Sequence, residues 1–278
     1  MVGLFTKQIL DMLNSISGTV SNMGQNSGLL SDLNTWNSAL AGYANSVNSS
    51  VVKPIAYTVL TLFILLELYH TTERIAASPS SNTYVLQQVG MVLLKFCLCK
   101  IAVDFNTTIV NTIFAVTGKI TANIAQYVSS GQVNASLDSN ALVAGLDGGI
   151  GAQISAFSSL SFVSIVLWFL NIVVNTIVTA RFIELYVYTA IAPLPITTLC
   201  NQELRSIGVN FLKSYAAVSL QGALLYLVIG FFPALYSALG TGGGDLVAQA
   251  WDMVGQAAIL AVAVFATGRW SKSICNAM

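Results

Sequence analysis

The chain has 278 residues with 11 basic and 11 acidic side chains, so its formal net charge is zero. Only 8% of residues are charged, against roughly 25% in soluble domains, while 55% are apolar and the mean hydropathy is +0.74. That balance excludes a soluble globular protein, whose core could not hide so much apolar surface, and it excludes a broad cationic face for nucleic acid phosphates.

The first fifty residues are polar and rich in Asn, Ser and Gly, yet Leu4, Phe5, Ile9, Met12, Leu13 and Ile16 recur at helical spacing. They predict a short amphipathic helix without enough contiguous apolar length to span. Because it lacks the basic start and cleavage site of a signal peptide, its expected place is flat on the bilayer or packed on a partner helix. Leu29, Leu33, Trp36 and Leu40 suggest a second such stretch.

A first span is expected from about Pro54 to His70, with Pro54 suited to a first helical turn. The region from Tyr84 to Val116 is longer than one span needs and carries Lys95, Lys100 and Asp104. It reads as one long helix that starts near the cytoplasmic face, its lysines snorkelling towards that face. From Gly118 to Gln153 a mixture of Gly, Ser, Asn and Asp predicts a loop outside the membrane.

Residues Gly148 to Ala180 contain no charged side chain, and Ser161 to Ala180 form an apolar run directly before Arg181. About 20 such residues at ~1.5 Å rise match the ~30 Å hydrocarbon core, and a helix satisfies its own backbone hydrogen bonds there. This is the third span, with Arg181 expected as its cytoplasmic stop. Apolar character continues to Leu199 but is broken by Pro193 and Pro195. Further spans are expected at about Ala216 to Leu239 and Met253 to Gly268, separated by a turn at Gly240 to Asp245.

The expected fold is therefore an all-α integral membrane protein with about five transmembrane helices, an N-terminal amphipathic helix and a long central extracytoplasmic loop. Its segments would be 1–50, polar and outside; 51–117, two spans; 118–157, the outer loop; and 158–278, three spans with a cytoplasmic elbow at 182–213. Counting Lys and Arg near span ends favours this order, with the N-terminus outside and the C-terminus cytoplasmic. Arg74, Arg205, Lys213, Arg269 and Lys272 then lie inside, and Lys7, Lys53 and Lys119 outside.

Cys97, Cys99, Cys200 and Cys275 all fall near the cytoplasmic side in that order and are expected to be reduced thiols. Cys97 and Cys99 resemble half a metal site, but without His or a second Cys pair at useful spacing they read as helix packing. With one histidine, His70, the chain offers no metalloprotease or nucleophile-elbow motif. Thr117 to Lys119 imitate the end of a phosphate loop, but Ile113 and Ile120 stand where that loop needs Gly and Ser or Thr. Neither an enzymatic activity nor a cofactor is expected.

Charged and polar residues inside the spans are the remaining candidates. Glu67, His70 and Arg74 share one helical face, and Lys100 is expected at the depth of Glu67, forming a buried pair. Lys100 and Asp104 could also pair along one helix. In the third span Ser161, Ser164, Trp168, Asn171, Asn175 and Thr179 form a polar stripe that could bond neighbouring helices or line a path. Arg181 and Glu184 are spaced for a local ion pair. Pro193 and Pro195 end or bend the helix and free carbonyls, forming an elbow that could dock a soluble partner.

The run Arg181 to Pro195, followed by Asn201, Glu203, Ser206 to Gly208, Asn210 to Tyr215 and Leu220 to Gly222, resembles the TrbL family of conjugative transfer proteins. The forms carried by mobile elements of Gram-positive bacteria are the most similar. The resemblance implies a polytopic membrane component of a type IV secretion system, a machine that passes single-stranded DNA and protein. It implies as partners other membrane subunits of that system, separate cytoplasmic ATPases and further copies of the chain. The large soluble C-terminal extension of some relatives is missing here. The competing expectation is an ion-coupled small-solute transporter that uses Glu67 and Asp104 as carboxylate switches.

Overall fold

The computed structural model describes residues 2–22, 28–76, 82–128, 150–201, 203–237 and 246–277, and every regular element among them is helical. In chain order these are α1 (Val2–Asn22), α2 (Leu33–Trp36), α3 (Ser38–Val47), a π turn (Asn48–Val52), α4 (Lys53–Ala76), α5 (Asn82–Asp104) and α6 (Asn106–Tyr127). Then follow α7 (Ile150–Ile191), α8 (Pro193–Thr197), a 3-10 turn (Thr198–Cys200), α9 (Arg205–Ser237) and α10 (Leu246–Ile274).

Five helical stretches among the described residues are long and apolar enough to cross a membrane: Ser38–Ala76, Thr83–Asp104, Gln153–Ile191, Arg205–Phe231 and Val247–Ile274. The chain is an all-α polytopic membrane protein. Its spans follow from uninterrupted apolar runs, since a helix is the one open-ended backbone that hydrogen-bonds itself in lipid. Of the five, the span in α9 is the most enclosed by protein and that in α5 the least.

Three expectations about element ends change. The stretch expected as one long helix is interrupted at Phe105, between α5 and α6. The stretch expected as a loop from Gly118 is helical to Tyr127 and again from Ile150, while 129–149 lie outside the described residues. Finally, α7 does not stop at Arg181 but runs 42 residues to Ile191. Arg181 fails to end it because the guanidinium finds partners inside the protein rather than in water.

The chain packs as two units. One comprises Met1–Ser31, Gly118–Ala180 and Gln221–Trp270. Within it Ala156, Leu160, Val163, Leu167, Leu170, Val174 and Val178 recur every three or four residues on α7 and are buried, whereas Ile165, Trp168, Phe169 and Ile172 are exposed. This is one helical face turned to protein and the other to the surroundings, which in a bilayer are acyl chains. Ile9, Leu13 and Ile16 of α1 are fully buried, and the Ser161 hydroxyl lies 3.9 Å from Met12 Sδ, so the amphipathic helix packs on a helix. Gly230 lets α9 approach Val128, whose Cγ2 would stand 2.8 Å from any added Cβ.

The other unit comprises Asp32–Thr117, Arg181–Leu220 and Ser271–Met278. Here α4 and α5 pair as a hairpin, and the elbow formed by α8 and the 3-10 turn packs on both. Trp36 of α2 stacks on Phe182 with ring centroids 4.6 Å apart, and the Tyr186 hydroxyl donates to the Leu33 carbonyl at 2.6 Å. The second weak N-terminal stretch is thus also held on a helix.

Candidate functional site

The second unit concentrates its polar groups at two places, and both are built by interruptions in helices. At the first, Phe105 separates α5 from α6, and carbonyls released from the helical ladder are taken by side chains. Asn106 Nδ2 donates to the Val103 carbonyl at 2.7 Å, and Lys53 Nζ donates to the Asp104 carbonyl at 3.0 Å. Side chains inserted into the ladder are a recognised cause of a helix break.

Asn106 is fully buried and its Oδ1 accepts from Asn48 Nδ2 at 2.8 Å. Asn48, in the π turn, also donates to the Thr189 carbonyl at 2.6 Å. Two buried amides thereby tie α3–α4, α5–α6 and α7 together, each satisfying a group whose burial alone would cost about 1–3 kcal/mol. Beside them the Asp104 carboxylate accepts from the Tyr57 hydroxyl and lies 3.5 Å from Lys100 Nζ. The local Lys100–Asp104 pair therefore forms.

The expected Glu67–Lys100 pair does not. Glu67 Oε1 instead meets Lys95 Nζ at 3.3 Å. Antiparallel pairing of α4 and α5 already sets Tyr57 against Asp104, so ten residues further along α4 the facing position on α5 is nearer Lys95. His70, one turn beyond Glu67, is exposed and 4.0 Å from Glu73. Among the described residues no cluster of His, Cys, Asp and Glu is arranged to hold a metal ion.

The second place is Arg181, only 3% exposed. Its Nε donates to the Val218 carbonyl and its Nη2 to the Ser219 carbonyl, both at 3.0 Å, so the guanidinium fork grips the backbone of α9. The rings of Phe182 and Phe114 lie 5.3 and 5.8 Å from its charge centre, a cation–π setting that offsets part of the desolvation. The local Arg181–Glu184 pair is not made, because α9 takes the guanidinium first; Glu184 lies beside Tyr188 one turn on.

Pro193 is buried and opens α8, while Pro195 is half-buried. Pro193 has no N–H for the Thr189 carbonyl, which Asn48 takes instead, and carbonyls near the end of α8 are capped by threonines: Thr197 Oγ1 donates to the Leu194 carbonyl and Thr198 Oγ1 to that of Pro195, each at 2.7 Å. The elbow seats on α9 at Gly208, where an added Cβ would stand 2.7 Å from both the Pro195 oxygen and Leu199 Cδ2. On its other side Cys200 is bonded to Cys99 of α5, with Cα atoms 6.0 Å apart. The expectation of four reduced thiols did not foresee this meeting of two of them: the elbow folds back onto α5 across 101 residues of sequence, which spacing does not reveal.

Asn171 and Asn175, in the first unit, bond each other at 3.0 Å on an exposed face of α7. Of the expected site residues, Glu67, Lys100, Asp104, Arg181, Glu184, Pro193 and Pro195 all belong to the second unit. Asn48, Lys53, Tyr57, Lys95, Asn106 and Gly208 were not singled out as site residues from sequence. Asn48 carried no signal, sitting in an Asn-rich stretch, but Lys53 and Lys95 stood out as cations bordering or inside spans.

The arrangement is a set of mechanical ties, with no reacting constellation among the described residues. No curated protein and no solved structure matches the chain. A family model described as TrbL/VirB6 plasmid conjugal transfer like protein matches residues 9–193, two thirds of the chain, from the buried face of α1 to Pro193 at the elbow. The chain belongs to the TrbL/VirB6-like conjugal transfer family and is a membrane component of a conjugative transfer system.

Proposed function

We propose that the chain is a channel or scaffold subunit of a conjugative type IV secretion system, supporting the passage of DNA and protein across the cell membrane. The family match over residues 9–193 carries this reading. The ties described above suit a scaffold, since they fix helix ends and an elbow without leaving a group poised for chemistry. Cytoplasmic ATPases would supply the energy. The C-terminus and the elbow would lie in the cytoplasm; Asn48, expected outside, bonds Thr189 beside the elbow and would share that side.

Arg181 and Pro193 are buried and so build the elbow; docking of a cytoplasmic partner would fall to its exposed residues Glu203, Ser206 and Ile207. Copies of the chain would assemble with one another, and the exposed Asn171–Asn175 pair is suited to a contact in lipid, where such amides seek interhelical partners. In-frame deletion in a donor cell should abolish transfer of the mobile element without slowing growth, and a wild-type copy should restore it. Transfer at the undiminished frequency would refute the reading.

A further inference from the structure

The elbow and α5 enclose a cavity of about 250 Å³ lined by Lys95, Leu98, Cys99, Leu199, Cys200 and Arg205. We propose that this cavity binds the phosphate of an anionic glycerophospholipid, with one acyl chain lying along α5.

The charge count supports an anionic phosphate. Lys95 and Arg205 contribute two positive charges and Glu67, 3.3 Å from Lys95, removes one. Arg205 is exposed, forms no ion pair among the described residues, and is the first residue of the 33-residue α9. The positive end of that helix adds roughly half a charge at the same spot. A site near +1.5 attracts either charge form of a phosphate, and the apolar side of the site decides for a lipid phosphodiester.

The apolar side of the site fits a lipid too. Met91, Leu94, Leu98 and Ile101 are all exposed and recur at three- and four-residue spacing, so they form one stripe that passes the cavity wall at Leu98. From the cavity wall at Leu98 the stripe runs back to Met91, about seven residues or ~10 Å of helix, along which part of an acyl chain can lie. The elbow joins the consecutive candidate spans Gln153–Ile191 and Arg205–Phe231, and a turn between two spans belongs in the headgroup layer, so Arg205 stands at that level and Lys95, within the candidate span Thr83–Asp104, lies deeper. Basic side chains there attract anionic lipid, each strengthening binding by about fivefold.

The test is native mass spectrometry of the full chain released from nanodiscs of equal dioleoyl phosphatidylglycerol and phosphatidylcholine content. One phosphatidylglycerol per chain should be retained in preference to phosphatidylcholine. Arg205→Gln should lower that retention about fivefold, while Arg205→Lys and the charge-balanced Glu67→Gln/Lys95→Gln pair, which leaves the net charge of the site unchanged, should keep most of it. Lys119→Gln, a cation remote in sequence, should leave it unchanged. Equal retention of the two lipids, undiminished retention in Arg205→Gln, or displacement of the lipid by millimolar inorganic phosphate would overturn the proposal.

Discussion

Arg181 shows how one side chain can be misjudged when only its neighbours in sequence are known. A cation after twenty apolar residues looks like the place where a helix leaves the bilayer, yet here it is buried and gives two hydrogen bonds to carbonyls of α9. Burying such a charge is expensive, so the geometry that compensates it must be kept. A lysine cannot present two parallel donors from one rigid plane. Arg181→Lys should therefore lower stability by about 2–4 kcal/mol, and the uncharged Arg181→Met should lose less. Thermal midpoints in detergent decide this; a lysine variant as stable as the wild type would contradict it. Gly208 is the second sensitive position. An alanine there must displace the Pro195 carbonyl, which is backbone and cannot swing aside, at a cost of about 1–3 kcal/mol and with reduced transfer of the mobile element. Normal stability and transfer in Gly208→Ala would show that the elbow yields instead.

At the scale of elements, the α4–α5 hairpin is held in register by Tyr57 to Asp104 and Lys95 to Glu67. An unpaired charge in a span raises the apparent cost of insertion by about 2.5–3.5 kcal/mol. Glu67→Lys should thus impair insertion of the hairpin in a topology reporter, and adding Lys95→Glu should restore it. Adding Lys100→Glu should not; rescue by that variant instead would reinstate the register expected from sequence. The spans themselves were legible because an apolar run long enough for a bilayer has few other uses. Their register was not, since it depends on where α4 ends and α5 begins, and an error of five residues on α5 moves a partner by more than a helical turn. The break at Phe105 was equally hidden. It is made by Asn106 and Lys53, which in sequence are an ordinary polar residue and a cation before a span, and by Asn48, whose partner Asn106 is 58 residues away.

For the whole molecule, the family assignment fixes a membrane component of a transfer machine, while its direction in the bilayer rests on the distribution of basic residues. Cys275 provides the measurement, because it follows α10 directly and lies beyond the last candidate span. Burial pushes its thiol above the ordinary cysteine range, so the reactive thiolate is scarce at neutral pH and labelling should quicken as pH rises. In a Cys97→Ser, Cys99→Ser, Cys200→Ser background, a membrane-impermeant maleimide should leave Cys275 untouched in intact cells and modify it in inverted vesicles, faster at pH 9 than at pH 7. The Cys99–Cys200 pair gives an independent readout of the same orientation. The fold brings the two sulfurs together, but cytosolic thiols would keep the pair reduced and an external compartment would not. With the C-terminus inside, acid-quenched cells should yield the pair as free thiols, which oxidise to the bond only after extraction. Labelling of Cys275 from outside, together with a disulfide already formed in the quenched cells, would reverse the orientation and move the elbow to the opposite face.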